Sequence, residues 1–188
     1  MTIHQLQASY VLEHDRILVR MNTLAGEELR LWLTRRMVRN LFPHILKITT
    51  DLVADQSQGV SHDGADRDAL TRFKKQELLQ KADFSTPFNS QAASLPIGDA
   101  PLLATRVNIT VCDGGALRIG FEEDRAGTAA KRNFEVTLGQ DLLHGFMHLL
   151  EAALQQADWG ITLDRSDAPE DPLLTDVLAN AKPPQYLN

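Results

Sequence analysis

The feature that most constrains this fold is an apolar helix predicted over residues 137–159, whose pattern occurs once more, earlier in the chain. Its apolar residues recur at helical spacing and cover more than one stripe of the helix. When Phe146 is aligned with Phe42, His148 falls on His44. Each copy follows runs with strand-like alternation. The pattern predicts an α+β protein with two similar halves, each made of antiparallel strands followed by a long helix, joined by an inserted helix and loop.

The first half, residues 1–55, contains two runs in which apolar and polar residues alternate, as they do in half-buried strands. Only short breaks separate the runs, which favours antiparallel hairpins. The side of the strands opposite the core carries Arg20, Arg30 and Trp32. The apolar side is expected to pack on the core and consists of Ile17, Val19, Met21, Leu29, Leu31 and Leu33.

A helix beginning at Arg35 should follow these strands, because Thr34 is a residue type that caps helix N-termini. Pro43 lies inside this helix and removes one backbone donor, so a kink or a division is expected there. Residues 56–101 are predicted to be an insertion between the halves, with a short amphipathic helix over residues 66–82 flanked by irregular loops.

The second half, residues 102–160, is organised around a hairpin turn predicted at Asp113-Gly114-Gly115, since Asp-Gly readily adopts the positive φ angles of such turns. Thr137 and Gln140 have the spacing of a capping box at the start of the main helix. Residues 161–188 form an acidic tail that contains prolines.

Composition limits the function classes. The net charge of −6 argues against a generic duplex-DNA binder, which is usually basic. Cys112 is the single cysteine, so no intrachain disulfide can form, and this suits a reducing cytoplasm. No run reaches the roughly 18 apolar residues of a membrane span, and the N-terminal residues lack the pattern of a secretory signal. We therefore expect a cytoplasmic protein without a membrane partner.

Three arginines at the start of the first predicted helix are its least expected residues. Arg35, Arg36 and Arg39 place cations where the helix dipole disfavours them. The same helix end presents unpaired N–H groups, so an anion there would be held by amides and guanidinium groups together. The sequence predicts a site for a phosphate, a carboxylate or an acidic peptide. The alternative is that these arginines pair with the acidic tail or lie in solvent.

The polar strand face gives a second candidate. Arg20, Arg30 and Trp32 combine cations with an aromatic ring, a pattern that suits single-stranded nucleic acid. The corresponding face of the second half has no aromatic residue, and the net charge disfavours this partner.

A metal-dependent enzyme is a third and weaker alternative. His144 and His148 are four residues apart and share one helix face. Gly145 stands where the zinc-protease pattern requires glutamate, so no metal is predicted. Phosphate-binding glycine loops, nucleophile elbows and CxxC pairs are missing from the sequence as well. We expect a protein of the adaptor or chaperone-like kind, without catalysis or a cofactor, that binds a peptide or protein and associates with itself.

Overall fold

The computed structural model describes residues 2–56, 73, 76–77, 86–90, 94–124, 131–161 and 185–187. Within these ranges, three strands lead into a helix twice. The first set is β1 (Ile3–Val11), β2 (Arg16–Thr23), β3 (Glu28–Thr34) and helix α1 (Arg35–Gln56). After the short strand β4 (Leu102–Leu103), the second set is β5 (Arg106–Val111), β6 (Leu117–Glu123), β7 (Arg132–Leu138) and helix α2 (Gln140–Ala157). The chain is therefore mixed α+β, as predicted.

The strands form two sheets. The first sheet has the order β1-β2-β3-β4, in which β4 alone runs parallel to its neighbour. The second sheet is an antiparallel meander of β5, β6 and β7, and the short strand β8 (Gln185–Leu187) pairs with the free edge of β5. In the first sheet Arg20 lies directly opposite Arg30, and Leu18 lies opposite Trp32. We call the face that carries these four side chains the outer face of the first sheet.

The core lies between the inner faces of the sheets and the two helices. All six residues predicted for the core face of the first sheet are buried. Leu117, Ile119 and Phe121 of β6 join the same continuous cluster, because their period-two spacing turns them to one side of the second sheet. Burying a leucine or isoleucine side chain contributes about 2 kcal/mol, so this shared core dominates the stability of the fold.

Helix α1 begins as predicted. The amide N–H of Met37 donates a hydrogen bond of 3.2 Å to the Thr34 hydroxyl, which satisfies one of the free donors of the first turn. The helix is continuous through Pro43, so the expected division does not occur. Its first turn contains no acidic residue. The start of α1 therefore remains a concentration of positive charge.

Helix α2 does not begin as predicted. Its N-cap is Gly139, no side chain caps the helix, and Thr137 is an exposed residue of β7. The predicted capping box at Thr137 is wrong because Val136 and Leu138 are both buried and extend the strand through this position. The turn predicted at Asp113-Gly114-Gly115 is confirmed, with φ of 73° at Gly114 and 77° at Gly115.

Helix α2 connects the two halves. It packs against β1 and β2 of the first sheet as well as against β7, the strand that precedes it. Its inward side is buried within the single chain, so covering it requires no second copy. The buried residues are Leu143, His144, Phe146, Met147, Leu150, Ala153 and Leu154.

The insertion enters the structure beside β3. The Glu28 amide donates to the carbonyl of Ser94, β4 pairs with β3, and the Ala104 amide donates to the carbonyl of Trp32. Most of the helix predicted over residues 66–82 and most of the acidic tail lie outside the described residues. None of the helices among the described residues is long and apolar enough to span a membrane.

Candidate functional site

The structure divides the six arginine and tryptophan positions of the predicted site into two groups. Arg35, Arg36 and Arg39 are exposed on the first two turns of α1. Arg20 and Arg30 lie on the outer face of the first sheet, where their side chains are only 18% and 29% exposed. Trp32 is on the same face, at the end nearest α1.

The first group lies where the β1–β2 turn meets α1. Arg16, which follows the turn, pairs with Thr34, which precedes the helix. The rings of His14 and Trp32 are in contact in a tilted arrangement, with their centroids 5.1 Å apart. Leu12, also in the turn, is 76% exposed. We call this surface the arginine end; it consists of Leu12, His14, Trp32, Arg35, Arg36 and Arg39.

The carboxylate of Asp15, at the end of the β1–β2 turn, is bound by residues outside the arginine end. Asp15 accepts hydrogen bonds from the Trp159 indole N–H at 2.6 Å and from the Tyr10 hydroxyl at 2.9 Å. These two bonds, followed by the charge of Arg35, hold the pKa of Asp15 below its ordinary value of 3.8. Within the part of the chain that the structure describes, no ion pair involves Arg35, Arg36 or Arg39. The arginine end therefore keeps its positive charge.

The second group surrounds a buried carboxylate that the sequence analysis did not single out. The Glu28 side chain has no exposure, and its Oε1 accepts hydrogen bonds of 2.7 Å from the Nε atoms of both Arg20 and Arg30. Arg20 adds a second bond from Nη2 to Oε2 at 3.1 Å. Burial alone would raise the pKa of Glu28, but the bonds and charges of the two arginines lower it more, so the pKa lies below 4.5.

A signal for this cluster was present in the sequence. Glu28 and Arg30 are two residues apart on one strand and therefore face the same side. Two arginines directly opposite each other in a sheet would repel without an intervening anion. The strand register, which the sequence does not show, is needed to bring Arg20 to this pair.

Segment 86–90 of the insertion lies across the outer face. Phe88 stacks on the Arg20 guanidinium, whose carbon is 4.5 Å from the ring centroid. The Asn22 side-chain amide donates to the carbonyl of Asn89 at 2.7 Å. Arg20 also donates to the Ser90 hydroxyl at 3.4 Å. The charge of the predicted cationic strand face is therefore partly offset by Glu28, and the face is covered by the chain itself.

Another arginine, Arg132, binds the next part of the insertion. Arg132 on β7 pairs with Glu123, whose side chain is 2% exposed. The same guanidinium donates to the carbonyl oxygens of Ile97, Ala100 and Pro101 at 3.3, 2.9 and 3.1 Å. Neither residue was predicted to belong to a site, because Arg132 and Glu123 flank a loop, and the sequence does not show that the two ends of this loop meet.

The histidines of the metal alternative occupy different environments. His144 is buried, its Nδ1 lies 2.9 Å from the carbonyl of Gln140, and its Nε2 has no partner among the described residues. His148 is half-buried and has a partner of its own. Across the described ranges, no group of three His, Cys, Asp or Glu residues is placed to hold a metal ion. Cys112 is half-buried, and its Sγ is 3.9 Å from the carbonyl of Thr110.

Comparison with known proteins gives no assignment: no protein-family model, no curated protein and no solved structure matches this chain. The function must therefore be inferred from the chemistry of the protein's surfaces. The arginine end combines guanidinium groups, an aromatic pair and an exposed leucine. These groups can bind an anionic and partly apolar ligand.

Proposed function

We propose that this chain is a non-enzymatic binding protein of the adaptor or chaperone-like kind, and that it acts through protein–protein contacts at the arginine end. The observation that carries the proposal is the exposure of Arg35, Arg36 and Arg39 beside Leu12, which is 76% exposed. Three cations at a helix N-terminus cost roughly 0.3–1 kcal/mol each against the dipole at exposed sites. A negatively charged ligand would offset this unfavourable interaction, and the free energy recovered would strengthen its binding.

The partner that fits is an acidic segment of a protein with at least one apolar residue. Carboxylates form bidentate bonds with guanidinium groups, and the first-turn amides of α1 add further donors. Leu12 and the His14–Trp32 pair supply apolar contact area beside these charges. Arginine and tryptophan are also the residue types that dominate binding energy at protein interfaces.

Single-stranded nucleic acid is the second candidate, and Trp32 beside three exposed arginines favours it. The net charge of −6 opposes it. The pairing of Arg20 and Arg30 with Glu28 opposes it as well, because the carboxylate offsets part of the positive charge on the face that would follow a phosphate backbone.

We further propose that the chain arose by internal duplication, that it works in the cytoplasm, and that it associates with itself. The repeated order of three antiparallel strands and a helix supports the duplication. The lone Cys112 supports a reducing compartment. The exposed Leu12 supports an apolar contact outside the chain, and sedimentation velocity at several concentrations would measure whether a second copy makes it.

The test uses fluorescence anisotropy with a labelled peptide of alternating glutamate and leucine. The triple variant Arg35→Ala, Arg36→Ala, Arg39→Ala should bind this peptide at least ten-fold more weakly, since each lost charged pair contributes roughly 1 kcal/mol. Arg118→Ala is the matched control, because Arg118 is half-exposed on the other sheet and pairs only loosely with Glu135, at 3.4 Å.

Unchanged peptide binding by the triple variant would exclude the arginine end. A labelled oligothymidine is titrated in parallel at two salt concentrations. Tight oligonucleotide binding that falls steeply with salt and is lost in Trp32→Ala would favour the nucleic-acid function instead.

A further inference from the structure

The contacts of segment 86–90 resemble those of a bound peptide. Gln5 and Asn22 are directly opposite each other on β1 and β2 and are joined by a side-chain hydrogen bond of 3.3 Å. Oε1 of Gln5 accepts the amide N–H of Asn89 at 3.0 Å, and Nδ2 of Asn22 donates to the carbonyl of the same residue at 2.7 Å. We call Gln5 and Asn22 the amide clamp. It satisfies both backbone groups of one residue of the segment.

Recognition of this kind does not depend on the side chain of the clamped residue. Every residue except proline offers the same N–H and C=O, so the clamp can hold any extended chain in one register. Asn89 itself is exposed, although Asn22 beneath it is only 7% exposed. The sheet thus buries its own polar groups against the backbone of the segment.

The preceding residue is selected by a different contact. Phe88 stacks on the Arg20 guanidinium at 4.5 Å, an arrangement that favours aromatic rings over aliphatic side chains. Bonds to Glu28 and to Gln7 hold Arg20 in place, so its planar surface is oriented before any ring stacks on it. The outer face therefore specifies an aromatic residue followed by a residue held through its backbone.

One atom of the clamp lacks a partner. Oδ1 of Asn22 is buried and accepts no hydrogen bond among the described residues, although its Nδ2 is fully used. A buried acceptor without a donor costs roughly 1–3 kcal/mol. Segment 86–90 therefore fits the outer face incompletely, and a ligand with one more donor at this position would fit it better.

We propose that the outer face of the first sheet is a peptide-binding site, that segment 86–90 occupies it in cis, and that it accepts an extended segment of a partner protein with an aromatic residue followed by any residue other than proline. The residues that hold the segment, Gln5, Asn22 and Arg20, do not belong to the arginine end, so either proposal can fail alone. A peptide is favoured over nucleic acid because the group that the clamp holds in this structure is itself a peptide backbone, bound through its N–H and its C=O.

The experiment measures binding of a labelled peptide with the sequence of residues 84–92 by fluorescence anisotropy and by chemical shifts of the side-chain amides of Gln5 and Asn22. In the full-length parent, segment 86–90 competes at an effective concentration on the order of millimolar. The double variant Phe88→Ala, Asn89→Pro removes the stacking ring and the clamped N–H, so it should bind the peptide at least ten-fold more tightly than the parent.

Two matched controls accompany it. Adding Gln5→Ala to the double variant should abolish the gain, and a peptide in which alanine replaces the aromatic residue at position 88 should bind at least ten-fold more weakly. Equal binding by the parent and the double variant, or undiminished binding after Gln5→Ala, would overturn the proposal. Displacement of the peptide by oligothymidine at low micromolar concentration would also overturn it, by assigning the face to nucleic acid.

Discussion

The indole N–H of Trp159 donates a 2.6 Å hydrogen bond to Oδ1 of Asp15, a residue 144 positions earlier in the chain. Tyr10 completes the contact, because its ring meets the Trp159 ring edge-on at 5.9 Å and its hydroxyl donates to the same carboxylate oxygen. Asp15 has φ of 47°, a left-handed conformation that aspartate tolerates better than most residues. The end of α2 is thereby bound to the hairpin of β1 and β2.

Two substitutions of Trp159 can distinguish the effect of its hydrogen bond from the effect of its packing. Trp159→Phe keeps an aromatic ring against Tyr10 but removes the strongest bond to Asp15, so the pKa of Asp15 should rise toward 3.8. Carboxyl chemical shifts followed through a pH titration would measure this rise. Trp159→Ala should in addition lower the free energy of unfolding by about 3–5 kcal/mol, since Trp159 is buried. An Asp15 pKa that does not move in Trp159→Phe would show that the bond is absent in solution.

The Glu28 cluster predicts a loss of stability in acid. Because the folded state holds the pKa of Glu28 below 4.5, its stabilisation is complete above pH 4.5 and is lost as the pH falls through the lower, folded-state value. Glu28→Gln leaves two partly buried arginines without their anion and should lower the free energy of unfolding at pH 7 by about 3 kcal/mol. Urea unfolding at pH 7 and at pH 3 would measure both effects.

The difference between parent and Glu28→Gln should shrink as the pH falls from 7 to 3, because below pH 4.5 the unfolded parent binds a proton that the folded carboxylate resists. Glu135→Gln is the matched control, since the side chain of Glu135 is 61% exposed and its pair with Arg118 should contribute less than about 1 kcal/mol. A difference for Glu28→Gln that is the same at both pH values would contradict the assignment.

Arg132 should hold the last part of the insertion in place. Lysine at this position keeps the charge but cannot donate to Glu123 and to three carbonyl groups at once. Arg132→Lys should therefore speed hydrogen exchange of the amides of Gly98 and Ala104 at least ten-fold. The amide of Val19, inside the first sheet, serves as the internal reference. Arg132→Ala should cost about 3 kcal/mol because it removes the arginine that pairs with the buried Glu123 carboxylate.

Replacing threonine by alanine should have different effects near the N-termini of the two helices. Thr34→Ala removes the hydroxyl that accepts the Met37 amide and should cost about 1 kcal/mol, whereas Thr34→Ser should restore most of it. Thr137→Ala changes an exposed strand residue and should stay within about 0.5 kcal/mol. Thermal unfolding of the three variants would measure these differences. A cost at Thr137 equal to that at Thr34 would reinstate the capping box that the structure does not show.

Sequence patterns were most informative where one local rule decides the structure. Period-two alternation identified Ile17 to Leu33 as core strands, and the residue type of Thr34 located the start of α1. The same reasoning failed at Thr137 because two local rules competed there. A capping residue and a strand residue look alike when a threonine lies between Val136 and Leu138, and only the burial of those two side chains decides the outcome.

The long-range pairings could not be predicted. Trp159 and Asp15, Arg132 and Pro101, and Asn22 and Asn89 are all far apart in sequence. Each pairing depends on how the sheets and the insertion fold back on each other, which alternation and capping do not encode. The candidate site shows the same division, since Arg35 and its neighbours were found from one helix end, whereas Glu28 required the register of two strands.

The packing of α2 on β1 and β2 also affects how the protein folds during its synthesis. A chain leaves the ribosome from its N-terminus, and earlier segments usually begin to fold before later ones exist. Here α1 can cover part of the apolar inner face of the first sheet, but the rest stays uncovered until residues up to Trp159 have emerged, because α2 packs on β1 and β2. Until then the nascent chain must expose apolar residues of its first two strands.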